Sequence, residues 1–312
     1  MDSRIIIGPE DPEKAVGFVR LVDMMPHEEC LPDTGYTADS AIVQAARVSY
    51  GHGTKKVNED RGLIRYLLRH QHTTPFEMVQ FKFHIRMPIF IYRQWFRHRS
   101  SEQGELEISS TDEAARKFMS MNEYSARYSI VPDIYYLPKA LRGQSTTNKQ
   151  GGEEPINGQV NELYRLSMEK DATVARALYE ALIKDGVSRE LARLVLPVSY
   201  VTEFYMSVNL WNLLHMLKLR CDSHAQLEIR HYANALAWYV RKYTPMSYQA
   251  WLDYMLNGAA FSANELVLLQ QMAHEHVSPE ELLSGRELDE FKAKLVRRPI
   301  DPAALAETQG VL

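Results

Sequence analysis

Cysteine is nearly absent from this chain, since Cys30 and Cys221 are the only two among 312 residues. Two cysteines cannot build the disulfide framework of a small secreted domain or a structural zinc site, and neither stands in a Cys-x-x-Cys pair. A nucleophilic cysteine needs a lowered thiol pKa, which a sequence does not reveal. We therefore expect Cys221 to be a packing or bystander residue.

Long apolar runs are also missing. No stretch approaches the ~20 residues that span a bilayer, and residues 1–4 show neither the basic start nor the apolar stretch of a signal peptide. The formal net charge of -4 argues against general affinity for nucleic acid. A hydrophobic content of 45% is enough for a substantial core. These features predict a cytoplasmic protein without membrane or nucleic-acid partners.

Glycine-rich phosphate loops and metal-ligand clusters are absent as well. Neither Gly-x-Gly-x-x-Gly nor a P-loop occurs. A dinucleotide would therefore have to be held by side chains and backbone from several elements. His70 and His72 stand two residues apart beside a Thr-Thr-Pro turn, which is poor tetrahedral geometry for a metal. We predict no metal site.

Hydrophobic periodicity predicts a mixed fold. Residues 79–87 alternate between apolar and polar side chains, which is typical of a half-buried strand. A helix should follow over residues 89–99 behind Pro88. The polar, glycine-rich residues 142–159 indicate an exposed loop. Further helices are predicted near 63–68, over 159–184, 188–196 and 207–220, and from Ser223, where Ser223–Gln226 has the form of a capping box.

Residues 93–99 and 120–129 hold the densest group of ligand-binding side chains. They read Arg-Gln-Trp-Phe-Arg-His-Arg and Ser-Met-Asn-Glu-Tyr-Ser-Ala-Arg-Tyr-Ser, with four arginines, two amides and a carboxylate. A phosphate monoester requires fixed donors and positive charge, which the planar fork of arginine supplies better than lysine does. The two segments therefore predict a surface that binds a phosphate and a ring.

These segments resemble the signature of flavin-dependent thymidylate synthases, in which Arg-His-Arg is followed by Ser-x-Asn-Glu-x-Ser-x-Arg-Tyr. Residues 192–197 match the family's Ala-Arg-x-Val-Leu-Pro motif, and residues 219–229 match Leu-Arg-x-Asp-Ser-His-Ala-Gln-x-Glu-Ile. The blocks stand in the family's order, and the resemblance covers about residues 35–257. The chain departs from the family in an insertion at about residues 100–119, between the two halves of the signature.

The resemblance implies an α+β fold in which an antiparallel sheet packs with long helices. It assigns residues 1–257 to the family domain, interrupted by the insertion at about 100–119 and the polar loop at about 142–159. Residues 258–312 are then a helical C-terminal extension. We expect the insertion to be a solvent-exposed loop, and the alternative is a lid or subunit contact over the cofactor.

The activity that the resemblance implies is the reductive methylation of dUMP to dTMP. Methylenetetrahydrofolate would supply the carbon. Tightly bound FAD, which NADPH reduces, would supply the reducing equivalents. No protein nucleophile is needed, which suits a chain so poor in cysteine. Two alternatives stay open. One is a flavin-dependent dUMP hydroxymethylase on the same scaffold, and the other is a non-catalytic nucleotide- or RNA-binding homologue that has lost the flavin.

The same resemblance assigns site residues. The nucleotide would be held by Gln94, Trp95, Phe96, Arg97, Glu123, Tyr124, Ser125, Ala126, Arg127, Arg193 and Arg220. The FAD contacts would be Thr74, Arg97, His98, Arg99, Glu123, Asn209, Leu210, Trp211 and His215, and His72 would line the folate side. Arg220 would be catalytic, because a guanidinium beside the uracil ring favours ionisation at N3 while staying protonated itself. Ser125 would bind phosphate rather than attack the ring.

Members of the family are homotetramers whose sites use more than one chain. At ~100° per residue, Asn209 and Arg220 on one helix would project within about 20° of each other, whereas His215 would point about 140° away from Arg220. One helix face cannot present all three residues. This geometry fits a site that is assembled between subunits.

Overall fold

A computed structural model describes most of the chain. The described residues are 4–8, 16–27, 37–48, 57–100, 119–146, 151–274, 278–281, 283–296 and 300. The strands in this part of the chain are β1 (Arg4–Ile7), β2 (Gly17–Met25), β3 (Gln80–Pro88), β4 (Met119–Glu123), β5 (Arg142–Gln144), β6 (Gly152–Pro155) and β7 (Val201–Asn209). The helices are α1 (Asp39–Arg47), α2 (Val57–Arg69), α3 (Ile89–Trp95), α4 (Gly158–Lys184), α5 (Arg189–Ala192), α6 (Leu210–Arg220), α7 (Leu227–Tyr243), α8 (Pro245–Trp251), α9 (Ala263–His274) and α10 (Gly285–Val296).

Five strands form one antiparallel sheet in the order β1-β2-β3-β7-β4, and β5 and β6 pair separately. The central pair, β3 and β7, is in register from Gln80 opposite Asn209 to Pro88 opposite Val201. Helix α7 covers one face of the sheet, where Tyr239 contacts Phe83 with ring centroids 5.6 Å apart. The predicted α+β fold with an antiparallel sheet is confirmed. None of the described helices combines the length and apolar character needed to cross a bilayer.

The predicted strand at residues 79–87 is confirmed as β3. Its alternate side chains Phe81, Phe83, Ile85 and Met87 are all fully buried. The chain then turns directly into α3, with Pro88 as the N-cap residue. The predicted helix over 89–99 is also present, but its second half tightens into a 3₁₀ turn at Phe96–Ser100. The Arg-His-Arg motif therefore lies in a short, tight turn at the end of α3.

The predicted helix over residues 207–220 is correct only from Leu210. Residues 201–209 form strand β7, whose alternate side chains Phe204, Met206 and Val208 are buried. The helix starts where the Asn209 side chain caps it, because Asn209 Oδ1 accepts a hydrogen bond from the Asn212 backbone N–H at 2.9 Å. The helical projection that placed Asn209 beside Arg220 therefore does not apply, since Asn209 precedes the helix.

Three other boundaries differ from prediction. The helix expected from Ser223 begins at Leu227, and Gln226, not Ser223, is its N-cap residue. The region 142–159, expected to be a loop, contains the β5–β6 hairpin and the start of α4, although most of it is exposed or half-exposed. The helix expected over 188–196 is a single turn, α5, followed by a 3₁₀ turn at Arg193–Val195. Residues 101–118, which make up most of the insertion, lie outside the described part of the chain.

The segment after residue 258 is helical, as predicted, in its described part. Helices α9 and α10 enclose a small core of Leu268, Leu283 and Phe291 that is separate from the main core. Lys294 Nζ donates to the buried Glu265 carboxylate at 2.6 Å and so joins the two helices. Ile300 packs against the main core. The boundary between a domain ending at 257 and an extension stays a prediction.

Candidate nucleotide and flavin site

An open pocket of about 420 Å³ lies between the end of β4, the turn that follows it and the 3₁₀ turn that contains Arg193. It brings the predicted nucleotide-binding segment, residues 123–127, together with Arg193, which is remote in sequence. The residues that line it are Ile89, Glu123, Tyr124, Ser125, Ala126, Arg127, Val131, Arg193, Leu196, Tyr200, Val201 and Thr202.

Main-chain and side-chain hydrogen bonds hold this segment against β7. The Tyr124 backbone N–H donates to the Glu203 carbonyl at 2.7 Å, and the Tyr124 hydroxyl donates to the Ile130 carbonyl at 3.0 Å. The Thr202 hydroxyl donates to the Glu123 carboxylate at 2.7 Å. Hydrogen bonds within the protein therefore hold the turn in this shape.

Two guanidinium groups face the pocket. Arg127 donates to the Ser125 hydroxyl at 3.5 Å and stacks 5.6 Å from the Tyr128 ring, so its side chain is only loosely held. Arg193 is exposed, and its side chain has no hydrogen bond or ion pair with any described residue. Arg189 donates to the Tyr128 carbonyl at 2.8 Å and ties the turn to α5. Two arginines without carboxylate partners beside a serine hydroxyl form a suitable site for a phosphate group.

A second group of predicted residues meets at the corner between α6 and α7. Arg220 Nε donates to His98 Nε2 at 2.6 Å, and Gln94 Nε2 donates to Gln226 Oε1 at 2.5 Å. Arg220 also lines a separate pocket of about 350 Å³ beside Lys218, His224 and Met255. The first and third motif blocks are thus joined within one chain, but Arg220 does not line the pocket that contains Arg127 and Arg193.

Burial and neighbouring charge keep His98 neutral. Its side chain is buried, and desolvation, together with the positive charge of Arg220 and the proximity of His215, lowers the pKa of His98 to about 4. Because Nε2 accepts the bond from Arg220, the ring proton lies on Nδ1. Burial also lowers the pKa of His215, helped by Lys218, and lowers the pKa of Arg220. At neutral pH Arg220 therefore carries its positive charge beside a neutral His98 imidazole.

The residues predicted to contact FAD have different accessibilities. His215 and Trp211 are half-buried on α6, with the Trp211 ring centroid 6.0 Å from that of Phe76. Thr74 is exposed at the start of the 3₁₀ turn Thr74–Met78. Arg97 is exposed, and its side chain has no hydrogen bond or ion pair within the described part of the chain. Together these groups fit a flavin nucleotide. The guanidinium can bind a diphosphate, the indole and the neutral imidazoles can contact a ring, and the threonine supplies a hydroxyl.

Some predicted contacts are limited by burial. Trp95 and Leu210 are fully buried, and the Trp95 indole N–H points to the sulfur of Met206 at 3.3 Å. Their side chains pack in the core, so only their main chains are available for a ligand. Phe96 is 41% exposed and available. Arg99 lies in the same 3₁₀ turn, and its side chain is outside the described part of the chain.

His72, predicted to line the folate side, belongs to an exposed aromatic cluster. Its ring lies 5.8 Å from Tyr66 and 6.3 Å from His70, measured between centroids. The intervening Gln71 has a φ of 56°, a left-handed conformation that is uncommon for residues other than glycine. The cluster presents aromatic edges and faces beside Thr74, at the end of α2.

The structure also shows residues at the site that the motifs did not assign. Gln226 stood in a matched motif without a role, and its bond to Gln94 appears only in three dimensions. Thr202 and Tyr200 also line the pocket, and Thr202 belongs to β7, for whose first half no element is predicted above. The alternation of the apolar residues Phe204, Met206 and Val208 with less apolar neighbours is the sequence signal for this strand.

Comparison with known proteins gives consistent matches. Residues 31–246 match the family model described as thymidylate synthase complementing protein. The flavin-dependent thymidylate synthase of Dictyostelium discoideum is 46% identical over 280 residues, which are 89% of this chain and 84% of that protein. The protein of the same name from Thermus thermophilus is 44% identical over 283 residues, which are 89% of this chain and 93% of that protein.

A solved structure supports the same relationship. The UMP/dUMP methylase PolB from Streptomyces cacaoi, bound with 5-Br dUMP, superposes with a TM-score of 0.62 at 30% identity. The superposition covers 81% of this chain and 99% of that chain. From the sequence matches over most of its length and from the shared fold, the chain belongs to the flavin-dependent thymidylate synthase family.

Proposed function

We propose that this protein converts dUMP to dTMP by flavin-dependent reductive methylation, with methylenetetrahydrofolate as carbon donor and NADPH as reductant. The observation that carries the proposal is the pocket in which Ser125, Arg127 and Arg193 converge, within a chain of this family. Guanidinium groups and hydroxyl donors that no carboxylate engages are well suited to bind the phosphate of a mononucleotide. This pocket supplies two such guanidinium groups and one such hydroxyl.

Arg220 is the proposed catalytic residue. It is half-buried and stays positively charged, so it can stabilise negative charge that develops on a uracil ring when N3 ionises. Cys221 cannot replace this chemistry with nucleophilic attack. Its side chain is fully buried, and desolvation raises the pKa of its thiol far above the usual range.

FAD, when bound, carries the reducing equivalents that complete the methyl group. We assign FAD binding to Thr74, Arg97, His98, Trp211 and His215, whose side chains form the donor set described above. Their task is to hold and orient the cofactor and to exclude water from the reacting edge of the nucleotide. His72 and its aromatic neighbours are the proposed folate side.

We further propose that the complete site uses residues from more than one subunit of a homotetramer. Within one chain, Arg127 and Arg193 line one pocket and Arg220 lines another. The long helix α4 also exposes apolar side chains that a single chain leaves uncovered, among them Leu163 at 63% and Val174 at 60% exposure. Exposed apolar surface of this kind is typical of protein interfaces. A cytoplasmic location stays a prediction from the sequence.

The test is turnover of the purified protein under anaerobic conditions with dUMP, methylenetetrahydrofolate and NADPH, with the product identified by mass. The proposal predicts dTMP. A product heavier by one oxygen would identify the hydroxymethylase, and a preparation that binds nucleotide without flavin would identify the non-catalytic homologue. UMP belongs in the same assay, because the solved relative is described as a UMP/dUMP methylase.

A further inference from the structure

We propose that His98 is a positioning residue for Arg220: its neutral imidazole fixes the Nε edge of the guanidinium and leaves the two terminal nitrogens for the nucleotide. The inference rests on the proposed function for the role of Arg220. It adds a task for His98 that is separate from holding the cofactor, and it predicts which change at position 98 preserves that task.

The geometry of the pair is the first argument. Arg220 Nε donates to His98 Nε2 at 2.6 Å, and this is the only hydrogen bond that the Arg220 side chain makes to any described residue. A guanidinium has five N–H donors in a fixed plane. Once the Nε–H is bound, the four N–H groups on the terminal nitrogens remain. Since Arg220 lines an open pocket, these groups are accessible to a ligand.

The second argument is how His98 itself is held. Gln94 and His98 are four residues apart, so both project from the same side of α3 and its terminal turn. Their partners Gln226 and Arg220 flank the α6–α7 corner on its two sides. Two hydrogen bonds therefore fasten one face of the Arg-His-Arg segment to both ends of the corner, and His98 cannot move away from Arg220 without breaking this connection.

The third argument is that the interaction requires a neutral acceptor. A charged imidazole would have no lone pair for Arg220 and would place two cations 2.6 Å apart. The groups that face His98 are Arg220 and His215 from α6, and the positive charge of Arg220 together with burial disfavours protonation. A neutral histidine therefore accepts a hydrogen bond from an arginine and leaves the positive charge of the arginine in place. A carboxylate in the same position would neutralise that charge.

The test uses two substitutions of matched size at one position. In His98→Leu the acceptor is lost, whereas in His98→Gln an amide oxygen near the place of Nε2 can still accept. We expect kcat to fall by up to about 100-fold in His98→Leu, because a misplaced catalytic group costs this much, and to recover most of the loss in His98→Gln. The control is His231→Leu, which removes an equally buried histidine, 6% exposed like His98, that is outside the site.

A double-mutant cycle separates positioning from cofactor binding. We measure flavin content, the dissociation constant of dUMP by calorimetry, and kcat and KM for His98→Leu with Arg220 present and with Arg220→Ala. If His98 acts through Arg220, its substitution changes dUMP affinity only when Arg220 is present, whereas any loss of bound flavin is the same with and without Arg220.

Two results would overturn the inference: wild-type kcat per bound flavin in His98→Leu, or an effect on dUMP affinity that is the same with and without Arg220. These results differ from failure of the proposed function itself. In that case the wild-type protein would produce no dTMP, while the dUMP-affinity cycle would still report whether the two residues are coupled.

Discussion

At the scale of single residues, the motifs identified the chemistry of the site but not the direction of each side chain. Arg127, Arg193 and Arg220 are all accessible, as a ligand-binding role requires. Trp95 and Leu210, from the same contiguous runs, point into the core. A run of matched residues does not distinguish the two cases, because successive residues on a helix project about 100° apart and so point to different faces. Burial decides which of them can contact a ligand through side chains.

His98 gives a prediction about pH. Its pKa is about 4 in the folded protein, below the unfolded value of 6.5. The stabilisation is therefore fully present above about pH 6.5 and is lost as the pH falls toward 4. The wild-type protein should lose up to about 3 kcal/mol more than His98→Gln over this range. Denaturant unfolding at stepped pH values measures the difference. Parallel pH profiles for the two proteins would contradict it.

Gly17 is a position where only glycine fits. A Cβ built there would lie 1.9 Å from the Tyr232 hydroxyl oxygen and 2.8 Å from the Arg86 carbonyl oxygen. Gly17→Ala should lower stability by about 1–3 kcal/mol through overpacking. Tyr232→Phe removes the first of these clashes, and the buried hydroxyl has no hydrogen-bond partner among the described residues.

The phenylalanine substitution should therefore be nearly neutral alone and should recover part of the loss when combined with Gly17→Ala. Thermal melts of the two single variants and the double variant test this coupling. Strictly additive effects would show that the clash is not at Tyr232.

At the scale of elements, clean patterns were predictable and mixed patterns were not. Strand β3 alternates without interruption and was placed within one residue at each end. Strand β7 runs directly into α6. Apolar residues recur every two positions in the strand and every 3.6 positions in the helix, and where the two patterns join the sequence predicts a single helix over 207–220. The β5–β6 hairpin is polar, glycine-rich and mostly exposed, so it lacks the apolar signal on which strand prediction depends.

The junction between β7 and α6 depends on Asn209. Its Oδ1 accepts hydrogen bonds from the backbone N–H and the side-chain amide of Asn212, both at 2.9 Å, and the residue is buried. Asn209→Ala should cost about 1–2 kcal/mol, whereas Asn209→Asp keeps an oxygen acceptor for the cap and should cost less. Unfolding free energies test this order. Equal losses in the two variants would contradict a capping role and leave flavin contact as the main task of Asn209.

The hairpin is fastened to the start of α7 by an ion pair. Arg142 donates to both oxygens of the buried Glu228 at 2.7 and 2.9 Å. Burial raises the pKa of Glu228, but the hydrogen bonds from Arg142, the backbone and Gln226, together with the positive charge of Arg142, outweigh burial, and the pKa lies below the usual value. Arg142→Met should cost about 3 kcal/mol, because the buried carboxylate loses its only ion-pair partner among the described residues and keeps only neutral hydrogen-bond donors, among them the Tyr136 hydroxyl.

Adding Glu228→Gln to Arg142→Met should restore most of that loss, because the neutral amide is easier to bury. Lys292→Met is the matched control. It breaks an ion pair with Glu280 in which both side chains are about half exposed, and it should cost less than about 1 kcal/mol. If the two single substitutions cost the same, the Glu228 pair is not a buried interaction that supports the hairpin.

At the scale of the whole molecule, the order of motifs along the chain predicted the family and the fold class but not the strand order. The sheet places β7 between β3 and β4, and such long-range pairing leaves no local pattern in a sequence. The separation of Arg127 and Arg220 into different pockets of one chain was equally hidden. It has a direct consequence for how subunits cooperate.

If each site takes Arg127 from one chain and Arg220 from another, two inactive proteins should complement each other. Arg127→Ala and Arg220→Ala are each expected to be nearly inactive. After dissociation and reassembly of an equal mixture, about a quarter of the sites would contain both arginines, and the mixture should recover about that share of the wild-type rate. A mixture that remains inactive after verified subunit exchange would place both arginines in sites built by a single chain.

The central claim is that this protein transfers a carbon and two electrons to dUMP with a flavin as reductant. One single-turnover experiment tests it most directly: the flavin-loaded protein is reduced without oxygen and mixed with dUMP and methylenetetrahydrofolate while the flavin spectrum and the nucleotide mass are followed. The account predicts one dTMP formed for each flavin reoxidised. A flavin that stays reduced, or a hydroxymethylated nucleotide in place of dTMP, would contradict it.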